Sequence, residues 1–101
     1  MEFYIEVPSN QIAAEKRYIT SAIFKLLPYK QEGYKFLDNY FESVLQQLTG
    51  FNKITGSQPE TITIISLVEY ARCEDDFEKY RKAILDACGM VKLIKESDVD
   101  A

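Results

Sequence analysis

Histidine is absent from this chain, and its absence excludes most of the common catalytic centres. Histidine is the most frequent general base near neutral pH and the most frequent protein ligand of transition metals. The Ser-His-Asp and Cys-His arrangements are therefore impossible, as are the Glu-x-x-His di-metal sites of helical bundles. Glycine is scarce as well, because four scattered residues form neither a GxGxxG loop nor a Walker-type phosphate loop. The sequence predicts a protein that is not an enzyme and holds no cofactor.

Cysteine and long apolar runs are also scarce. The two cysteines, Cys73 and Cys88, form no CxxC motif and no disulfide framework, which favours the reducing cytoplasm. We expect Cys88 to be a small buried residue on an apolar helix face and Cys73 to lie in a turn. No apolar run approaches the roughly 20 residues that span a bilayer, and the acidic N-terminus lacks the basic region of a signal peptide. A soluble cytoplasmic protein is predicted.

Apolar and aromatic residues are abundant. The 101 residues are 47% hydrophobic, with seven tyrosines and six phenylalanines, which is typical of one folded domain covering residues 1–101. The net charge is −4, and residues 51–101 carry ten acids and seven bases. Lys and Arg supply most of the affinity for phosphates and anionic lipids, so direct binding to nucleic acid or membrane is disfavoured. The acids from Glu74 to Glu78 would also repel DNA from a helix-turn-helix built on the last two helices.

Four segments carry apolar residues at helical spacing, which predicts an all-α fold: a compact four-helix bundle. Pro28 is expected to end the first helix, because the residue before a proline is pushed out of helical geometry. Gly50 fits the left-handed position that follows the second helix. With their caps, the four predicted helices cover about residues 9–27, 34–49, 57–72 and 75–96.

The last predicted helix has the clearest signature. Asp75 is expected as its N-cap, with Glu78 completing a capping box and pairing with Lys82 one turn later. Gly89 lies inside this helix and indicates either a close crossing by another helix or a mild kink. One apolar face is formed by Phe77, Tyr80, Ile84, Ala87, Cys88, Val91 and Ile94.

Two segments carry residue patterns that are typical of β-strands. Residues 2–7 alternate between apolar and polar, which predicts a strand-like arm over residues 1–8. Residues 61–65 are a β-branched run that could pair with that arm, so an α+β fold is the runner-up. Ser57 and Glu60 form a capping-box signature that favours helix for residues 61–65 instead. Residues 97–101 are expected to be a frayed tail.

Paired carboxylates are the remaining candidates for a metal site. Asp38 and Glu42 lie one helical turn apart, and Glu69 lies just before an acidic cluster. Such oxygens suit a hard cation such as Mg²⁺. Acids on a solvated helix face or at a helix start need no ligand to explain them. We therefore predict no metal site.

The second predicted helix carries two apolar stripes, one of Leu37, Phe41, Leu45 and Leu48 and one of Phe36, Tyr40 and Val44. One stripe can be covered inside a bundle, whereas the other would lie at an edge and favour self-association. The main functional hypothesis is a non-enzymatic interaction or adaptor module that dimerises, with another protein as a second candidate partner. The alternative is a small acidic inhibitor or accessory factor of phage type that occupies a basic site on a nucleic-acid enzyme. The predicted interface residues are Phe3, Tyr4, Ile5, Phe36, Tyr40 and Val44.

Overall fold

The computed structural model describes the backbone of residues 9–95 and the side chains of residues 11–95. These residues form helices and no strand, so the all-α prediction is confirmed. Because residues 61–65 are helical, the runner-up α+β pairing is wrong. The predicted arm, residues 1–8, and the predicted tail, residues 97–101, lie outside the described residues. The helices are α1 (Ser9–Phe24), α2 (Leu26–Gln31), α3 (Leu37–Ile54), α4 (Pro59–Arg72) and α5 (Phe77–Val91).

The four long helices run up-down-up-down, and α2 is a short turn of helix between α1 and α3. Antiparallel order is visible in the hydrogen bonds between α1 and the chain around α5. Lys16 Nζ donates to the carbonyl oxygen of Ile94 at 2.8 Å, whereas the Cys88 thiol lies 3.7 Å from the carbonyl oxygen of Thr20. Contacts of α1 with α3, α3 with α4, α4 with α5 and α5 with α1 close a four-helix bundle.

The predicted apolar face of the last helix lies in the core, with Phe77 and Cys88 partly buried and its other five residues buried. Tyr80 is fully buried, and its hydroxyl donates to the carbonyl oxygen of Leu26 at 2.7 Å. This bond offsets the cost of burying a polar group, and burial raises the pKa of Tyr80 above its usual value. The core includes Ile12, Ile19, Ile23, Leu26, Phe41, Val44, Leu48, Phe51, Ile64, Val68, Ala71, Tyr80, Ile84, Ala87, Val91 and Ile94.

Pro28 does not end the helical segment, contrary to the prediction. Helix α1 ends at Phe24, and α2 begins at Leu26 with Pro28 as its third residue. A proline ring clashes with the carbonyl four residues earlier, here that of Phe24, and this explains the break at Lys25. The first N–H groups of a helix have no acceptor within the helix, so a proline in the first turn of α2 costs that helix no hydrogen bond.

The prediction for Gly50 is also wrong. Helix α3 continues through Gly50 to Ile54, and the left-handed residue after it is Gly56, with φ +87°. Beyond Gly50 the chain buries Phe51 completely. A glycine costs a helix only about 1 kcal/mol, whereas burying a phenylalanine side chain contributes about 1.5–3 kcal/mol. Tertiary burial therefore extends the helix past its local stop signal.

The N-cap of α5 lies one residue after the predicted Asp75. Asp76 Oδ2 accepts from the backbone N–H of Lys79 at 3.3 Å. Glu74 Oε2 accepts from the N–H of Asp76 at 3.0 Å. The acid that supports the cap is therefore Glu74, before the helix, and not Glu78 inside it. Acidic residues cap the helix as predicted, but they are Glu74 and Asp76 rather than Asp75 and Glu78.

The end of α5 also differs from the prediction. The helix ends at Val91 rather than at Glu96. A Cβ on Gly89 would meet no described atom within 4 Å, so the predicted close crossing is wrong. Lys82 Nζ pairs with Asp86 Oδ2 at 2.9 Å rather than with Glu78.

Helix α4 begins without the predicted capping box. Gln58 is the N-cap residue, and Ser57 before it has a left-handed φ of +56°. The buried Gln58 amide binds elsewhere: its Nε2 donates to the carbonyl oxygens of Thr55 and Lys95, and its Oε1 accepts from the N–H of Lys95 at 2.8 Å. The amide thus joins the α3–α4 loop to the chain after α5.

Candidate interaction surface

The structure separates the interface residues that the sequence predicted. Val44 is 2% exposed and belongs to the core, so it is not available to a second copy. Helix α3 contacts α1 and α4, which bury Phe41, Val44 and Leu48 of its two apolar stripes. Tyr40 is half-buried and Phe36 is 53% exposed. The other three predicted residues, Phe3, Tyr4 and Ile5, lie outside the described residues.

Four aromatic rings form a continuous cluster where α2 meets α3. The rings of Tyr29 and Tyr34 lie 4.5 Å apart, and the ring of Tyr40 meets Tyr29 edge-on at 5.0 Å. Phe36 meets Tyr34 edge-on at 6.0 Å. We call Tyr29, Tyr34, Phe36 and Tyr40 the aromatic corner. Edge-on and offset ring pairs of this kind add about 0.5–1.5 kcal/mol beyond their burial.

Local backbone geometry builds the aromatic corner. Gly33 follows α2 with φ +69°, the left-handed conformation that favours glycine. The N–H of Tyr34 donates to the carbonyl oxygen of Tyr29 at 2.8 Å, and the N–H of Gly33 donates to that of Lys30 at 3.2 Å. This is a Schellman motif, in which the residue after the glycine contacts the last turn of the helix. The motif places the ring of Tyr34 on that of Tyr29.

Tyr40 anchors the corner to the bundle. Its hydroxyl donates to the carbonyl oxygen of Ala22 in α1 at 2.9 Å, and partial burial raises the pKa of Tyr40. Beside it a groove of about 280 Å³ is lined by residues of α1 and by Tyr40 itself. The groove residues are Arg17, Tyr18, Ser21, Ala22, Lys25 and Tyr40.

Phe36 occupies an unfavourable position for helix stability. It is the N-cap residue of α3, where Ser, Thr, Asp and Asn are preferred because their oxygens accept from the first N–H groups of the helix. A phenylalanine supplies no such oxygen, and this one exposes half of its ring. A residue that disfavours the local structure and remains exposed is typical of a functional surface.

Three large exposed apolar side chains lie at or beside the aromatic corner. Tyr34 and Phe36 belong to it and Tyr18 lines the groove beside Tyr40; all three are more than two-fifths exposed. The other large exposed apolar side chains among the described residues are Phe24, Ile54, Ile62, Tyr70 and Leu93. Contiguous apolar surface indicates a binding site, whereas single exposed residues need no explanation.

Charges of opposite sign lie on two sides of the rings. Toward α1, Arg17 and Lys25 line the groove beside Tyr40, and Lys35 Nζ lies 5.5 Å from the centre of the Phe36 ring. We call these three residues the basic rim. Toward α4, carboxylates lie on the first turn of α3 and around the C-terminus of α4. We call Asp38, Glu42, Glu69, Glu74 and Asp75 the acidic rim.

Asp38 and Glu42, two of the carboxylates considered for a cation in the sequence analysis, are bound by an arginine instead. Arg72 Nε and Nη2 donate to the two oxygens of Asp38 at 2.8 and 2.9 Å, and Nη1 lies 3.1 Å from Glu42 Oε2. The guanidinium lowers the pKa of Asp38 through these bonds. Within residues 11–95 the acidic and cysteine side chains form no group of three placed to hold a metal ion.

The two thiols offer little chemistry. Cys73 is exposed beside the C-terminus of α4, as predicted for a turn. Cys88 is half-buried against α1, and burial raises its pKa to about 11. Because the thiolate is the nucleophile and metal ligand, Cys88 stays protonated and unreactive near neutral pH.

No family model, curated protein or solved structure matches this chain. None of the described helices is long and apolar enough to cross a membrane.

Proposed function

We propose that this protein is a non-enzymatic interaction module that forms a two-fold dimer through the aromatic corner. The observation that carries the proposal is Phe36, an exposed aromatic ring at a helix cap where a capping side chain would be more stable. Aromatic rings are enriched in protein interfaces because each supplies a large contact area.

The rigidity of the corner supports the same proposal. Tyr29 and Tyr34 are held against each other by the Schellman motif, and Tyr40 is held by its bond to Ala22. Side chains that are already ordered lose little conformational entropy on binding. A two-fold dimer needs only one self-complementary patch, so it is the simplest assembly for one such surface. The predicted contribution of Phe3, Tyr4 and Ile5 stays a prediction.

The test is the mass of the protein in solution, measured by light scattering after size exclusion. The wild type is expected to be a dimer at micromolar concentration and Phe36→Asp a folded monomer. Aspartate at this cap can accept from the helix N–H groups, so the variant should keep or improve its stability. Ile54→Asp is the matched control: Ile54 is 50% exposed and lies at the other end of α3. A monomeric wild type, or a dimeric Phe36→Asp, would contradict the proposal.

The acidic rim favours a second candidate function, a small acidic inhibitor that binds a basic site on a nucleic-acid enzyme. The side chains of Glu69 and Asp75 are exposed, and their carboxylates have no hydrogen-bond or ion-pair partner among the described residues. This function predicts a monomer whose binding is lost in Glu69→Lys with Asp75→Lys and kept in Phe36→Asp. The two candidates therefore differ in the mass of the wild type and in the effect of Phe36→Asp on binding.

A further inference from the structure

Opposite charges lie beside the same group of rings. The basic rim carries three positive charges, while the five carboxylates of the acidic rim together with Arg72 carry a net charge of −4. The two rims lie on different sides of α3. Tyr40 shares a groove with Arg17 and Lys25 toward α1, whereas Asp38 and Glu42 bind Arg72 of α4. The surface is apolar at the rings, and its charge is positive on the side of the basic rim and negative on the side of the acidic rim.

Such a surface is complementary to itself. A two-fold axis through the rings exchanges the two sides, so the basic rim of each copy meets the acidic rim of the other. Both contacts are then attractive, and the apolar rings are covered between them. Complementary charges of this kind fix the orientation of partners and exclude wrong ones.

We infer that the partner at the aromatic corner is a second copy of this chain, oriented by pairing of the basic rim of each copy with the acidic rim of the other. The inference rests on the proposed function, since it specifies how the dimer is held. Exposed side chains without a partner supply the charges. The side chains of Glu69 and Asp75 on the acidic rim and of Lys25 on the basic rim have no hydrogen-bond or ion-pair partner among the described residues.

The experiment exchanges the charges between two variants. One is Lys25→Glu with Lys35→Glu, which makes the basic rim acidic. The other is Glu69→Lys with Asp75→Lys, which makes the acidic rim more basic. Neither alters Arg72, Glu74 or the Asp76 cap, so both variants should stay helical by circular dichroism. Alone, the first variant opposes rims of charge −1 and −4 at both contacts, and the second opposes rims of charge +3 and 0. Both lose the attraction, so each dissociation constant should rise at least tenfold.

Mixing the two variants restores the attraction at one contact, where the unaltered acidic rim of the first variant meets the unaltered basic rim of the second. At the other contact the altered rims carry −1 and 0, so no repulsion remains there. An equimolar mixture is expected to form a one-to-one dimer, visible by native mass spectrometry because the two chains differ in mass. The control is Lys53→Glu with Lys95→Glu, the same change of charge at the opposite end of the bundle. The control should dimerise as the wild type does.

Each outcome is decisive. A variant that dimerises alone as tightly as the wild type, or a mixture that dimerises no better than the separate variants, would overturn the charge pairing while leaving the dimer through the rings intact. A monomeric wild type would overturn the proposed function itself and assign the aromatic corner to a different protein. Salt gives an independent check: the wild-type dimer should weaken between 0.05 and 1 M salt on the order of tenfold, because the Debye length falls to about 3 Å.

Discussion

At the scale of single residues, Gly33 and Gly50 occupy opposite conformations. Gly33 has φ +69° in the turn that builds the aromatic corner, where a side chain would be strained. Gly50 lies inside α3, and a Cβ there would meet no described atom within 4 Å. In one position glycine is required by the backbone, whereas in the other it only weakens a helix.

We expect the same substitution at these two positions to have opposite effects. Gly50→Ala should stabilise the fold by about 0.5–1 kcal/mol, because alanine has the higher helix propensity. Gly33→Ala should destabilise it by about 1–2 kcal/mol, the cost of left-handed backbone for a residue with a Cβ. Urea melts of both variants at one protein concentration give the free energies of unfolding. Changes of the same sign would mean that one backbone assignment is wrong.

At the scale of helices, polar side chains tie neighbouring elements together at both ends of the bundle. Arg72 binds Asp38 with two parallel hydrogen bonds and so joins α4 to the start of α3. At the opposite end, the Gln58 amide joins the α3–α4 loop to the backbone of Lys95. Bidentate bonds are geometrically specific, so these contacts fix how the ends of the helices align.

The Arg72 contact predicts a pH dependence with a definite sign. Arg72 lowers the pKa of Asp38 in the folded protein, so this contact stabilises the fold above the unfolded pKa of about 3.9. The stabilisation is lost as pH falls through the lower, folded pKa. In Arg72→Gln, an NMR titration should show the Asp38 carboxyl titrating at higher pH than in the wild type. Glu74, whose pKa is lowered by the Tyr70 hydroxyl, is the internal control and should titrate as in the wild type.

At the scale of the whole molecule, the charge is distributed unevenly. Residues 9–36 carry five bases and two acids, whereas residues 37–95 carry seven bases and nine acids. The overall charge of −4 therefore combines a net positive charge on residues 9–36, which include α1 and α2, with a net negative charge on the rest of the chain. Net charge alone is a poor guide to what this surface attracts, because the field near a surface depends on the nearest charges.

Dimerisation predicts that stability depends on protein concentration. Association with a second folded copy stabilises the native state by mass action, so the melting temperature should rise with concentration across the micromolar range. Phe36→Asp should melt at the same temperature at every concentration, and Ile54→Asp should behave as the wild type does. Calorimetry over a hundredfold range of concentration provides the measurement. A wild type whose melting temperature is constant would contradict the dimer.

Most of the helical content and the inward face of the last helix were determined by the sequence itself. Apolar spacing is a local property: Tyr80, Ile84 and Val91 recur on one side of any helix that contains them, whatever surrounds it. The aromatic corner was visible only in part. The sequence identified Phe36 and Tyr40, but it did not show that Gly33 turns the chain so that Tyr29 and Tyr34 join them.

Helix ends and the choice of exposed face were decided by tertiary structure. Burial of Phe51 carries α3 past Gly50, and a restart after Phe24 accommodates Pro28 within α2. Val44 is buried because α3 has a neighbour on each side, a fact of packing that no local pattern contains. Burial depends on residues distant in sequence, and it outweighs local preferences that amount to about 1 kcal/mol each.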